Sequence, residues 1–219
     1  MLQFPGLYVL DCDLNLDGPE RHLREQRKLD LAYAYDTITF DDEGKPMDVW
    51  LCYDRLMAKL REASANPDIK TVGIDSLTMV NEFVIRKILA MQKKTEMEAR
   101  DWIPFKSHFL NLLVGQLRRM PKHTVCTVHE SINWGPDPRN IIGKILLGYE
   151  PSVQGSIVDY FGGFFTDMWR CEGYVGAGNK SVFKLTTMRT TKSDLKNSSG
   201  IPAEVLNPTF EELNKYMKI

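Results

Sequence analysis

Three short apolar runs each end on an acidic or polar residue, and no other feature of the chain constrains its fold as strongly. Residues 7–11 read Leu-Tyr-Val-Leu-Asp and residues 71–75 read Thr-Val-Gly-Ile-Asp. Residues 124–128 read Thr-Val-Cys-Thr-Val, with His129 and Glu130 directly after. The runs are continuous rather than alternating, as expected of strands covered on both faces of a parallel sheet. Amphipathic segments separate them. Residues 47–65 place Val49, Tyr53, Leu56, Met57 and Leu60 at helical spacing, and residues 78–95 read as a second helix. Residues 102–120 carry Trp102, Phe105, Phe109, Leu112, Leu113, Leu117 and Met120 on one stripe, closed by Pro121. This alternation predicts an α/β fold with a mainly parallel sheet. Ligands of such sheets bind at the C-terminal ends of the strands, so Asp11, Asp13, Asp75, His129 and Glu130 are expected to converge there.

The remaining elements follow from local signals. A polar helix is expected at 20–28, a strand at 32–40 and a turn at 41–46, and the charged run 93–101 reads as a solvated link. Residues 131–151 are rich in Gly, Pro and Asn and read as a long loop, a feature that is usually functional or mobile. A short helix at 153–161, a hairpin from 166–174 and 182–190, a polar loop at 192–200 and a helix at 208–217 capped by Thr209 complete the chain. A length of 219 residues fits one domain, 1–219, large enough to fold without disulfides or structural metal.

Composition narrows the function classes. Lys and Arg number 28 against 29 Asp and Glu, a net charge of -1, so any nucleic-acid contact needs a local basic patch. No run approaches the roughly 18 apolar residues of a membrane span. The first residues lack the positive and apolar regions of a secretory signal. Cys12, Cys52, Cys126 and Cys171 are scattered without a CxxC pair, which argues against zinc and suits reduced thiols in a cytosolic protein.

Residues 71–76 have the form of a Walker B strand, an apolar run that carries an Asp to the sheet edge where it can hold Mg²⁺. The plainer reading is a strand end whose Asp caps the next helix. The order of the motifs says more. Residues 8–19, YVLDCDLNLDGP, resemble the segment of RecA-like recombinase ATPases that carries the catalytic carboxylate. Residues 72–78, VGIDSLT, resemble their Walker B strand, and residues 127–130, TVHE, their γ-phosphate sensor. The resemblance is closest to the RecA-like ATP-binding proteins of phages and covers nearly the whole chain.

That resemblance implies a RecA-like three-layer sandwich with a mainly parallel central sheet and a C-terminal β-hairpin. It implies ATP and Mg²⁺ bound between subunits of a homo-oligomer in the host cytoplasm, with hydrolysis coupled to single-stranded DNA in recombination or repair. Asp13 would orient the attacking water, Asp75 assisted by Ser76 would hold Mg²⁺, and His129 and Glu130 would sense phosphate. Arg189 and Lys192, on a late strand at 182–192, would reach the neighbouring subunit's nucleotide. Trp134, Arg139 and Lys144 in the 131–153 loop would touch DNA, with Tyr149 as a second stacking aromatic. Plainer readings stand beside these: Asp13 as a cap or solvated loop residue, Ser76 as a helix cap, and His129 with Glu130 as an exposed pair. The 131–153 segment would then be a solvated loop, with Arg189 and Lys192 protecting a sheet edge.

One departure is large. The family's phosphate-binding loop, GxxxxGKS/T, has no counterpart in this sequence; Gly143-Lys144 lacks its flanking residues and Gly44-Lys45 sits in a turn. The first strand, loop and helix of the family would precede Leu2. The expectation is an N-terminally truncated or degenerate member that binds ATP weakly or not at all. Two further readings are a non-catalytic interaction or assembly module on the same fold, and an unrelated doubly wound enzyme. Strand order separates the last, because a RecA-like sheet places the strand ending at Asp75 near its centre, beside the one leading to His129.

Overall fold

The apolar runs form neighbouring strands. Leu7–Asp11 (β1), Tyr33–Thr37 (β2), Thr71–Asp75 (β3) and His123–Cys126 (β4) make a four-stranded, all-parallel sheet in the order β2-β1-β3-β4. The structure, a computed structural model, describes residues 1–26, 32–137, 140–176 and 181–217. It divides into two compact units, Met1–His129 with Val153–Ile157 and Glu130–Ser152 with Val158–Ile219. The protein is α/β, with the parallel sheet in the first unit and small antiparallel sheets in the second. No helix among the described residues is long and apolar enough to cross a membrane.

In the first unit, β1 and β3 lie inside the sheet, and Val9, Leu10, Val72 and Ile74 are wholly buried. The edge strand β2 is shorter than the 32–40 expected, because the chain turns after Thr37 and the Ile38 N–H donates to the Asp11 carbonyl at 2.8 Å. Asp17–Arg21 (α1) runs into a π-helical turn, His22–Gln26. Val49–Ala65 (α2) stops at Asn66, the residue before Pro67, where the proline ring disfavours helical backbone. Leu77–Gln92 (α3) ends on Lys93 in the left-handed region at φ 55°. The 93–101 segment is not merely a solvated link. Glu98 and Asp101 form a reciprocal capping box, and Asp101 is buried and paired with Lys94 at 3.1 Å. The Glu98 N–H, more than Lys94, holds the Asp101 carboxyl below its usual range.

Trp102–Leu110 (α4) loses α-geometry at Asn111 and continues as a π-helical and then a 3₁₀ stretch to Arg119. Asn111 Oδ1 occupies the space where a Cβ on Gly115 would sit, 2.5 Å away, so glycine there accommodates the amide. The predicted aromatic stripe is core, with Phe105, Phe109, Leu112 and Leu113 buried. Each such side chain contributes about 1.5–3 kcal/mol on leaving water. Helices α2 and α4 are tied by the Tyr53 hydroxyl donating to the His108 carbonyl at 2.8 Å, and α2 and α3 by Lys87 with Asp54 at 2.5 Å.

In the second unit the sequence reading needs correction. Residues 131–151 are not a loop: Glu130–Asp137 (β5) and Asn140–Pro151 (β6) pair as a long antiparallel hairpin. Its glycines mark close approaches rather than chain breaks. A Cβ on Gly148 would lie 2.8 Å from the Lys192 carbonyl oxygen, which accepts the Tyr149 N–H at 2.7 Å. The predicted C-terminal hairpin exists as Arg170–Val175 (β8) and Ser181–Thr186 (β9), preceded by the two-residue Asp167–Met168 (β7). β7 pairs with Lys196–Asn197 (β10), inside the stretch expected to be loop, and Glu204–Leu206 (β11) adds to β9. Because β9 ends at Thr186, Arg189 and Lys192 lie beyond the strand assigned to them. Phe210–Met217 (α5) follows Thr209, whose hydroxyl accepts the Glu212 N–H at 3.3 Å as the predicted cap. α5 buries Leu213 with Leu185 and Ile201.

Candidate functional site

Strand order fixes where the ligand crevice lies. From β1 the chain passes to β2 on one side and then to β3 on the other, so the connections diverge between β1 and β3. Such a switch point opens at the strands' C-terminal ends. Asp11 and Asp75 are register partners at that end, with Asp13 and Ser76 just beyond.

Asp11 builds the turn rather than facing solvent. Its carboxylate is buried and accepts the N–H groups of Asp13 at 3.2 Å and Leu14 at 2.9 Å, holding Leu14 at φ 60°, which a side-chain-bearing residue adopts at a cost. Burial pushes the Asp11 carboxyl above its usual range, opposed by those two donors and reinforced by the charge of Asp75. The adjacent Cys12 thiol is fully buried, and desolvation with Asp13, Asp11 and Asp75 nearby pushes it far up, so it is no nucleophile.

Asp13 is the hub. Its Oδ2 accepts the Ser76 hydroxyl at 2.8 Å and lies 3.0 Å from His129 Nε2, while Oδ1 faces the Ser76 N–H at 3.3 Å. Its side chain is 4% exposed, against 58% for His129. Ser76 stands at the N-terminal boundary of α3, yet makes no capping bond, because its hydroxyl goes to Asp13. The peptide between Asp75 and Ser76 is cis. Asp75 receives the Thr127 hydroxyl on Oδ1. His129 is held a second time, its N–H donating to Thr78 Oγ1 at 2.9 Å. Thr127 also closes the sheet edge, its carbonyl accepting the Leu77 N–H at 2.9 Å.

Asp13, Asp75, Ser76 and His129 therefore come together. Glu130 does not join them: in the second unit its carboxylate receives Arg170 Nε at 2.7 Å. The Arg170 guanidinium lies 3.9 Å over the Tyr149 ring, so that aromatic is already stacked. Trp134 and Lys144 share one hairpin face through the register Trp134↔Leu146 and Pro136↔Lys144, with Trp134 54% exposed. Arg139 lies outside the described residues. Arg189 is exposed and paired with Asp194 at 3.1 Å. Lys192 is held at its backbone against Gly148 and Tyr149.

Sequence reasoning missed Thr78, Thr127 and Arg170. The two threonines flank polar strand ends, a usable signal; Arg170 carries none, since its partner is 40 residues away.

Among the described residues no group of three or more His, Cys, Asp or Glu is placed to hold a metal ion. The residues suit a Mg²⁺ ion that takes one carboxylate, from Asp75, and fills its shell with phosphate oxygens and water. A concavity of about 430 Å³ lies elsewhere, against α2. Its charged residues pair largely with one another, Arg55 with Asp42 at 2.9 Å and Lys59 with Glu62 at 3.3 Å.

Compared with models of known families, with curated proteins and with solved structures, the chain matches none.

Proposed function

We propose that the chain is a RecA-like ATP-binding core of phage type, whose full-length form binds ATP and Mg²⁺ between subunits and couples slow hydrolysis to single-stranded DNA in recombination or repair. One observation carries the reading: Asp13, Asp75 with Ser76, and His129 come from three separate stretches and meet at the strand-end crevice. The strand ending at Asp75 also lies inside the sheet, beside the strand that leads to His129. The three-layer sandwich belongs to the same proposal.

In that role Asp75 keeps one oxygen for Mg²⁺ while Thr127 fixes the other. Bound Mg²⁺ would supply charge neutralisation between the phosphates. His129 offers an exposed ring to the terminal phosphate. Arg189 and Lys192 serve a neighbouring copy, and Trp134 with Lys144 serves the DNA strand. Glu130 is paired with Arg170.

The backbone amides and lysine of a phosphate loop supply most triphosphate affinity in such enzymes, and this sequence has no such string. The expected Kd for Mg·ATP is therefore about 1 mM or weaker, roughly -4 kcal/mol. An amide NMR titration to about 10 mM Mg·ATP tests this. Shifts at Asp75, Ser76 and His129 that disappear in Asp75→Asn support the reading, and their absence rejects it. Micromolar affinity would overturn the claim that the phosphate loop is limiting.

The alternative, a non-catalytic interaction module, draws on the hairpin, which exposes Ile132, Trp134 and Leu147. A silent crevice in the same titration would favour it.

A further inference from the structure

We propose that the open edge of β8 is a self-association surface, on which a second copy of the chain adds its own β8 antiparallel and joins two three-stranded sheets into one. This stands apart from the nucleotide reading and needs no ligand.

The strand pattern settles which backbone groups face that edge. The sheet order is β11-β9-β8, so β8 has a neighbouring strand on one side only. In β9 the Phe183 carbonyl accepts the Asn207 N–H at 2.6 Å, and just past β9 the Thr187 N–H donates to the Ala203 carbonyl at 3.0 Å. The odd-numbered residues of β9 thus bond toward β11 and the even-numbered ones toward β8, as antiparallel pairing requires. Their partners in β8 are Arg170, Glu172 and Tyr174. Cys171, Gly173 and Val175 therefore turn their N–H and C=O groups outward, and among the described residues none of these groups has a hydrogen-bond partner.

Edge strands in folded proteins are commonly blunted by proline, lysine or a bulge. β8 contains no proline or lysine, and its pairing with β9 shows no register shift. Its charges are spent inside the chain, Arg170 on Glu130 and Glu172, and Glu172 also on Lys184. Cys171, Gly173, Tyr174 and Val175 are exposed, Val175 at 72%. The opposite edge is blunted: β11 is only Glu204–Leu206, with Pro202 and Pro208 on either side.

The occupant follows from register. For two copies of β8 to satisfy their outward groups, Cys171, Gly173 and Val175 must map onto one another, and a single antiparallel alignment does so. Gly173 meets Gly173 of the partner subunit on a two-fold axis, Cys171 meets the partner's Val175, and Glu172 meets the partner's Tyr174. No like charges oppose one another, whereas the neighbouring alignment sets Glu172 against Glu172 of the partner subunit. Gly173 suits a place on the axis. Its backbone lies outside the left-handed region, and a Cβ there would make only ordinary contact, 3.4 Å from Phe183 Cε1, so packing within the chain does not require glycine. Glycine inside a strand often marks the close approach of another backbone. The contact is isologous, so it closes at the dimer.

The test is sedimentation equilibrium of the full chain, without nucleotide, from about 5 to about 500 µM, where a small interface associates. A monomer that becomes a dimer across that range is expected. Val175→Pro removes an outward N–H that bonds nothing within the chain, and should weaken the dimer about tenfold or more. Should that variant not fold, cross-linking decides alone. In Gly173→Cys the two new thiols sit on Cα atoms about 5.5 Å apart, inside the disulfide range of roughly 4.4–6.8 Å. The native Cys171 and its copy would lie about 14 Å apart. Under mild oxidation by copper phenanthroline, Gly173→Cys should therefore give a disulfide-linked dimer at least about tenfold faster than the wild type. A chain that stays monomeric across the range, a dimer unaffected by Val175→Pro, assembly beyond the dimer, or wild-type cross-linking as fast as that of Gly173→Cys would each overturn the proposal.

Discussion

Arg170 decides whether Glu130 is a structural residue or a phosphate sensor. Its Nε donates to Glu130 at 2.7 Å, its Nη1 forms an ion pair with Glu172 at 2.7 Å, and its guanidinium stacks 3.9 Å over Tyr149. Glu172 goes on to Lys184 at 3.3 Å and Lys184 to Glu204 at 3.5 Å, so Arg170 connects the hairpin base to the outer strands of the second unit. Arg170→Met keeps most of the aliphatic stem and removes the hydrogen bond to Glu130 and the ion pair with Glu172. Buried, each would be worth about 1.5–3 kcal/mol. Arg170 is 21% exposed and Glu130 36%, so solvent screens them toward the 0.2–1 kcal/mol of surface pairs, as about 0.5 kcal/mol each. The ring contact adds about 0.5–1 kcal/mol. The expected loss is about 1.5–2 kcal/mol in urea unfolding, followed through Trp134 and Trp169 of the second unit. A double-mutant cycle with Glu130→Gln should return a coupling of about 0.5 kcal/mol. A loss within about 0.5 kcal/mol, ordinary for a surface change, together with no coupling, would refute the reasoning and release Glu130 as a candidate sensor.

Gly148→Ala should cost about 1–3 kcal/mol by displacing the Lys192 carbonyl, whereas Gly163→Ala, with open space around its Cβ position, should be near neutral; equal effects by chemical denaturation would count against the close approach. Asp11 has a raised folded pKa, so the folded state binds more protons and wild-type stability falls as pH climbs from the unfolded value near 4 through the folded one. The stability of Asp11→Asn minus that of the wild type should therefore rise over that window, and a difference that stays flat or falls between pH 4 and 7 contradicts the assignment. Thr127→Val should lose about 1–2 kcal/mol by stripping Asp75 of its hydroxyl donor, and Thr127→Ser should recover most of it in thermal melts. If residues 131–153 bind single-stranded DNA through Arg139 and Lys144, log affinity against log salt should fall with a slope of only about -1.4, and a slope near -5 would place the contact elsewhere.

The parallel sheet was legible because its signal is collective. Apolar runs of five residues at 7–11 and 71–75 leave few alternatives once helices lie between them, and β1 and β3 formed at those bounds. The hairpin was not legible because Gly135, Pro136 and Gly148 count as breakers when read locally. Leu147 lies over Gly135, and the Lys192 carbonyl over Gly148. In both places a partner distant along the chain or across the hairpin turns a small residue into a requirement of packing.

The site divides in the same way. Residue type and strand position were enough to bring Asp13, Asp75, Ser76 and His129 to one edge, since a short parallel strand can only deliver its last residues there. Their division of labour was not readable, because it depends on which acceptor the Ser76 hydroxyl chooses. Serine before a helix ordinarily caps it. Here the bond goes to Asp13, which with His129 leaves that carboxylate buried and occupied, and the exposed polar group at the crevice becomes the imidazole. Spacing locates a polar cluster, but the member left exposed at the crevice is set by a hydrogen bond spanning 63 residues of chain.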